Sequence, residues 1–253
     1  MNEATARQVF FELHSDLPRE GPGDDESTAK AFSLVPEVPK RPEILDVGCG
    51  PGMQTLQLGR LTQGQITAVD LHQPYLDQLQ HSLEAAGMSD RVTLMQADMQ
   101  DLPFPSGSFD LIWSEGAAYI MKFGSALRNW RSLLTRKGSL VISEITWILP
   151  DPPNEVMTFW QNEYPQMRGL EDNLTLLTKM GYRPIAHYLL PADAWWTHYY
   201  TPLEQRINRL RSHYADSPDA LQVLASHQQE MDLFRRYSDY YGYVFYIGQV
   251  DER

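Results

Sequence analysis

Along the first half of the chain, short apolar runs alternate with longer segments whose apolar residues recur every three or four positions. Ile44 to Val47, Gln65 to Val69, Val92 to Gln96, Asp110 to Ser114 and Ser139 to Glu144 have the length and apolar density of strands buried on both faces. Between them, Gln54 to Leu61, Pro74 to Ala86 and Ser125 to Leu134 read as helices. Strands joined through helices of this length specify right-handed βαβ units, hence an α/β fold with a doubly wound, mainly parallel sheet and helices on both faces.

The segments on either side have another character. Residues 1–36 are polar and mixed: "REGPGDDEST", Arg19 to Thr28, breaks the chain at Gly21-Pro22-Gly23 and offers Asp24, Asp25 or Ser27 as the cap of a short helix near Ala29 to Phe32. After the fifth strand, Asp151 to Met167 reads as a loop and an aromatic helix, Glu171 to Met180 as a helix ended by Gly181, and Arg183 to Leu190 as a strand. Two long helical stretches, Pro202 to Tyr214 and Pro218 to Tyr240, precede a last strand from Tyr243 to Val250. "PADAWWTHYY", Pro191 to Tyr200, holds its aromatics outside any regular period and reads as loop-like. The expected division is an N-terminal helical or lid segment over 1–36, then a domain over 37–253 with a helical and aromatic cap inserted at about 191–240.

Composition narrows the function classes. A chain of 253 residues that is 42% hydrophobic can bury a full core, and none of its apolar runs is long enough to cross a bilayer. The start lacks the basic-then-apolar pattern of a secretory leader, so a cytoplasmic protein without a membrane partner is expected. With 21 Lys and Arg against 33 Asp and Glu, the formal charge of -12 repels phosphate backbones, and nucleic acid is not an expected partner. The single cysteine, Cys49, can neither close an internal disulfide nor supply a cysteine-rich metal site. The seven histidines are scattered without ligand spacing, so no metal is expected.

The densest chemical signal is "EILDVGCGPGMQTLQLG", Glu43 to Gly59, a glycine-rich turn from the first strand into the first helix of the sheet. Glycines at 48, 50 and 52 let backbone approach a ligand. Their spacing is not the G-x-G-x-x-G of dinucleotide binders, and Asp46 just before them would repel a pyrophosphate while suiting a ligand with a positive centre. Asp70, about twenty residues on and ending the second strand, is placed for ribose hydroxyls. Asp98, after the third strand, is placed to accept from an exocyclic amine, with Met99 beside it. Taken singly, Asp70 and Asp98 are equally turn or helix-capping residues. Together with Asp46 they describe a site for an adenosine bearing a cationic amino-acid tail.

In order, "ILDVGCGPG", "VDLHQPYL", "ADMQDLPF" and "GSFDLIWSEGAAYI" resemble the successive motifs of the class I S-adenosylmethionine-dependent methyltransferases. The likeness covers about Glu43 to Glu144 and is strongest to small-molecule members, such as the ubiquinone and menaquinone biosynthesis methyltransferases and unassigned bacterial relatives. It implies a Rossmann-like sheet whose last strand is antiparallel, with S-adenosyl-L-methionine as cofactor. The residues it assigns to the cofactor are Asp46, Gly48, Cys49, Gly50, Gly52, Asp70, Leu71, Asp98, Met99 and Ser114. It further implies a small-molecule acceptor, and it admits a homodimer.

The sulfonium of that cofactor is already activated, so aligning the acceptor and excluding water are the main tasks, and a base is needed only if the acceptor must lose a proton. The Asp/Asn-Pro-Pro-aromatic motif of amino-methylating DNA enzymes is replaced after the fourth strand by "WSEGAAYI", Trp113 to Ile120, while "DPPN" at Asp151 to Asn154 reads as a turn. Glu115 and Tyr119 in that stretch are candidate catalytic residues; Glu115 reads alternatively as a helix-start carboxylate. His198 is the candidate base by residue type, or else a packing histidine. "REGPGDDES" is a candidate lid. Two other functions fit parts of this pattern: an NAD-dependent oxidoreductase, which needs the wider glycine spacing, and a cofactor-binding protein without turnover.

Overall fold

The computed structural model describes residues 3–15 and 17–251. Its first half runs α1 (Glu3–His14), α2 (Asp25–Ser33), β1 (Glu43–Val47), α3 (Met53–Leu61), β2 (Gln65–Asp70), α4 (Gln73–Ala86), β3 (Val92–Gln96), β4 (Phe109–Ser114), α5 (Phe123–Arg131) and β5 (Leu134–Trp147). The second half adds α6 (Asn154–Glu163), the short β6 (Arg168–Gly169), α7 (Leu170–Lys179), β7 (Tyr182–Leu189), α8 (Asp193–Trp195), α9 (Thr201–His213), α10 (Pro218–Tyr237) and β8 (Tyr241–Val250). Residues 1, 2 and 16 of the expected N-terminal segment lie outside the described residues.

The sheet order is β3-β2-β1-β4-β5-β8-β7, with β6 pairing beside the end of β5. β1, β2, β3, β4, β5 and β6 pair in parallel, whereas β8 inserts antiparallel between β5 and β7. Alternate strand residues face opposite layers. Ile44, Leu111, Trp113, Val141 and Phe245 join one core under α3, α4, α6 and the C-terminal helices. Leu45, Val47, Ile112, Leu140, Ile142 and Tyr246 join the other, under α5 and α7. Burial on both faces explains why these strands read as continuous apolar runs.

Local chemistry fixes several boundaries. Asp24 caps α2, its Oδ1 accepting from the Ser27 amide at 2.6 Å. Gly87 ends α4 in the left-handed region at φ +67°. The Asp151 to Asn154 stretch is a turn into α6, with Asp151 itself at φ +53°.

One feature differs from the sequence expectation. Pro191 to Tyr200 is helical rather than loop-like: α8 passes into a wide π-helical stretch, Trp196 to Tyr200, that leads straight into α9. The wider turn is why no 3.6-residue period was visible. It sets Trp195, Tyr199 and Tyr200 in the core, where Trp195 stacks on Phe234 at 4.0 Å between ring centroids. In the N-terminal segment, α1 lies against α9 and α10: Arg206 donates to the Ser15 carbonyl at 2.7 Å, and Tyr214 donates to Glu12 at 2.5 Å.

Candidate functional site

β1 and β4 are neighbours whose chains leave in opposite directions, to β2 and to β5, so a crevice opens beyond their carboxyl ends. The glycine turn fills the β1 side. Gly48 and Gly52 have φ of +71° and +89°, and neither has room for a side chain: a Cβ on Gly48 would lie 2.5 Å from the Ala117 Cβ, and one on Gly52 2.2 Å from Leu79 Cδ1. Strain at positive φ, about 1–2 kcal/mol, adds to about 1–3 kcal/mol of overpacking. Gly52→Ala is therefore expected to cost about 2–4 kcal/mol in a urea unfolding titration.

The amides of this turn are already engaged by protein. Gly48 and Cys49 both donate to the Val69 carbonyl, at 2.8 and 3.0 Å, and Gly52 donates to the Cys49 carbonyl at 3.0 Å. Gly50 donates to Asp70 Oδ2 at 2.9 Å, while Asp70 Oδ1 accepts from the His72 amide. A pyrophosphate needs such donors free, so the turn is not a dinucleotide cradle. Asp70 consequently has two tasks: it holds the turn's shape and turns a carboxylate toward the crevice.

The crevice itself is a cavity of about 280 Å³. Of the residues assigned from sequence, Gly48, Cys49, Gly50, Asp70, Leu71, Asp98, Met99, Glu115 and Tyr119 line it. Asp46, Gly52 and Ser114 do not. Asp46 is fully buried behind the turn, accepts from Thr55 Oγ1 at 2.6 Å, and is pushed up to about 7 chiefly by burial. Ser114 donates to the Val47 carbonyl at 2.9 Å and so ties β4 to β1 instead of reaching the cavity. Burial raises the Cys49 thiol well above its ordinary value, which rules against a thiolate nucleophile.

Glu115 lines the cavity, but its carboxylate already accepts three hydrogen bonds from protein. Oε2 pairs with Arg19 at 2.5 Å, and Oε1 accepts from Thr28 Oγ1 and Trp113 Nε1, both at 2.8 Å. These bonds draw the N-terminal segment down onto the end of β4. The geometry makes Glu115 the anchor of that segment. Arg19 and Glu20, inside the stretch read as a lid, were not singled out from sequence, yet both line the cavity. Glu20 lies over the turn, its Cγ 3.6 Å from where a Gly50 Cβ would stand, hydrogen-bonded to Tyr75 and with Oε1 unpartnered. Burial, reinforced by the charge of Asp70, pushes its carboxyl up to about 8. The only sequence signal for it was its place beside the Gly-Pro-Gly break.

A second cavity, of about 350 Å³, abuts the first and shares Phe10, Glu20, Gly21, Pro22, Gly116 and Tyr119 with it. His198 lines neither cavity, contrary to the expectation of a base there, because the π-helical stretch turns Tyr199 inward instead. The histidines of the second cavity are His14 and His227, from α1 and α10. Among the described residues, no group of three or more His, Cys, Asp or Glu is placed to hold a metal. No described helix is long and apolar enough to cross a membrane.

Comparison with known proteins bears directly on this arrangement. Residues 44–138 match the family model described as a methyltransferase domain. That stretch, from β1 into β5, is similar to methyltransferase domains. It is 31% identical to malonyl-[acyl-carrier protein] O-methyltransferase of Legionella pneumophila over 133 residues, 51% of this chain and 45% of that one. It is 28% identical to the uncharacterized methyltransferase YodH of Bacillus subtilis over 81% of this chain and 83% of the relative. In fold it is similar to an S-adenosylmethionine-dependent methyltransferase of Geobacter sulfurreducens solved with S-adenosyl-L-homocysteine: TM-score 0.80, 21% identity, covering 96% of this chain and 98% of the other. The chain spans about half the length of several curated relatives it matches. The methyltransferase match stops at Gly138, early in β5, so it takes in the glycine turn and the first cavity's strand ends but not α1, α10 or most of the second cavity.

Proposed function

We propose that this protein transfers a methyl group from S-adenosyl-L-methionine to a small-molecule acceptor. The observation that carries the reading is the pair of abutting cavities, one at the acid-rimmed strand ends and one walled by aromatics, meeting at Gly116 and Tyr119. Asp70 would hold the ribose hydroxyls, and Asp98 with Met99 the adenine. The donor set of the crevice suits the rest of the cofactor: Arg19 Nη1 and Glu20 Oε1 are buried without hydrogen-bond partners, as a zwitterionic amino-acid tail requires of its site. When bound, S-adenosyl-L-methionine supplies an activated methyl. The protein's share is to orient the acceptor and exclude water, the latter through the N-terminal segment that Glu115 anchors.

Asp70→Ala removes a ribose acceptor and the anchor of the Gly50 amide together. It should weaken S-adenosylhomocysteine binding by about 1–3 kcal/mol, read by calorimetric titration. A labelled-methyl assay over metabolite fractions should show protein-dependent transfer, and its failure in every fraction would favour a binding protein without turnover. The same reading sets the enzyme in the cytoplasm, a reducing compartment in keeping with a lone unpaired thiol at Cys49. It also includes a homodimer, which sedimentation equilibrium tests.

A further inference from the structure

The second cavity offers hydrogen-bond acceptors almost throughout. Glu20, Glu163 and Glu230 line it, and none of its lining residues is lysine or arginine. Its two histidines add further acceptors. His14 Nδ1 lies 2.9 Å from the Phe10 carbonyl and His227 Nδ1 2.9 Å from the Val223 carbonyl. Since a carbonyl only accepts, each Nδ1 carries the proton and each Nε2 is left with its lone pair in the neutral ring. His14 is held neutral, its pKa lowered to about 4 by burial and by the neighbouring His227, 5.3 Å away between rings.

The walls between these acceptors are aromatic: Tyr119, Tyr164, Tyr199 and Tyr243, with Phe159 and Trp160. Carboxyl groups continue past the lining. Glu144 accepts from Tyr164 at 2.6 Å just outside and Glu230 accepts from Tyr200 at 2.8 Å, and burial first, then these two carboxyls, raise the phenols of Tyr119 and Tyr243. The arginines whose charge reaches these groups, Arg168 toward Glu144 and Arg236 toward Tyr241, belong to the outer side and do not line the cavity.

An anion would find no lysine or arginine here, and a neutral phenol would leave several acceptors without donors. Aromatic faces plus carboxylates match a cation rich in donors. Resting on the methyl-transfer reading above, we infer that the acceptor is an amine, bound with its nitrogen among the Tyr119–Tyr243 aromatics and the Glu20–Glu230 carboxylates. The bound ammonium first gives one N–H proton to His227 Nε2 or to Glu230, which frees the nitrogen lone pair. That pair forms the N–CH3 bond while the S–CH3 bond breaks, its electron pair staying on sulfur, and the methylated ammonium keeps its charge.

The test uses the full chain saturated with S-adenosylhomocysteine and three probes of one shape, benzyltrimethylammonium, benzyl alcohol and phenylacetate, followed by calorimetry. The cation should bind about tenfold or more tighter than the alcohol, as for a desolvated cation–π site, and phenylacetate should bind weakest. Glu230→Gln keeps an acceptor for Tyr200, so it should hold S-adenosylhomocysteine normally while losing most of that preference. Equal affinities for cation and alcohol, or tightest binding of phenylacetate, with S-adenosylhomocysteine still bound, would overturn the amine assignment alone. Failure of S-adenosylhomocysteine itself to bind would overturn the methyl-transfer reading, and this inference with it.

Discussion

Replacing Glu115 by alanine should lower the stability of the protein by about 3–5 kcal/mol, because it strands Arg19 as an uncompensated buried charge. The Arg19 and Glu115 side chains are 5% and 1% exposed, so water cannot take over the lost partner. Thr28 and Trp113 lose their acceptor in the same step. Chemical denaturation should show the loss, and the affinity for S-adenosylhomocysteine should fall with it as the N-terminal segment comes away from the end of β4. A Glu115 acting only as a base would leave the denaturation midpoint unchanged. Double replacement of Arg19 and Glu115 by methionine and leucine should recover much of the stability, since a buried ion pair is often replaceable by apolar side chains of similar volume.

The second large effect is expected from pH. Glu144, 2% exposed at the end of β5, has its carboxyl pushed from the ordinary 4.5 up to about 8, chiefly by burial and against the pull of the Tyr164 hydroxyl. A raised carboxyl means that the folded protein holds a proton that the unfolded chain gives up. Its contribution is therefore fully present below the ordinary value and is lost as pH rises toward about 8. Asp46, up to about 7, and Glu20, up to about 8, act in the same direction. Unfolding free energy should fall between about pH 5 and 8, by up to about 1.4 kcal/mol per pH unit for each such group. Glu144→Gln keeps an oxygen for Tyr164 and should gain about 2–4 kcal/mol over the parent at pH 8, with no gain at pH 4. Urea titrations at the two pH values compare them directly.

Much of the first cavity was legible in the sequence because its parts are local. The glycine turn, Asp70 and Asp98 each end a strand that announces itself as an apolar run, and the parallel order of those strands brings their ends together. Asp46 and Ser114 are among the residues the resemblance assigns to the cofactor, and period-2 alternation and the depth of the strand ends turn them inward onto Thr55 and Val47. The second cavity was much less legible. It is assembled from α1, α6, the π-helical stretch, α10 and β8, which are far apart in the chain, and no spacing within any one of them records the meeting. Tyr199 was flagged, but in a run read as a loop, because a wide turn hides the periodicity that marks a helix. Glu20 and Arg19 sit in a polar segment whose composition looks solvated. Only the fold shows that Gly21 and Pro22, next to them, line both cavities.

The proposed site for a nucleoside attached to a sulfur cation is rimmed by acidic side chains beyond the carboxyl ends of β2 and β3, Asp70 and Asp98, beside a turn whose amides are not free for phosphate. Calorimetric titration of the purified full-length chain with S-adenosylhomocysteine, repeated in the presence of excess NADH, tests it most directly. One-to-one binding of S-adenosylhomocysteine is expected, with an affinity that NADH leaves unchanged. Absence of binding, or displacement of S-adenosylhomocysteine by NADH, would contradict it.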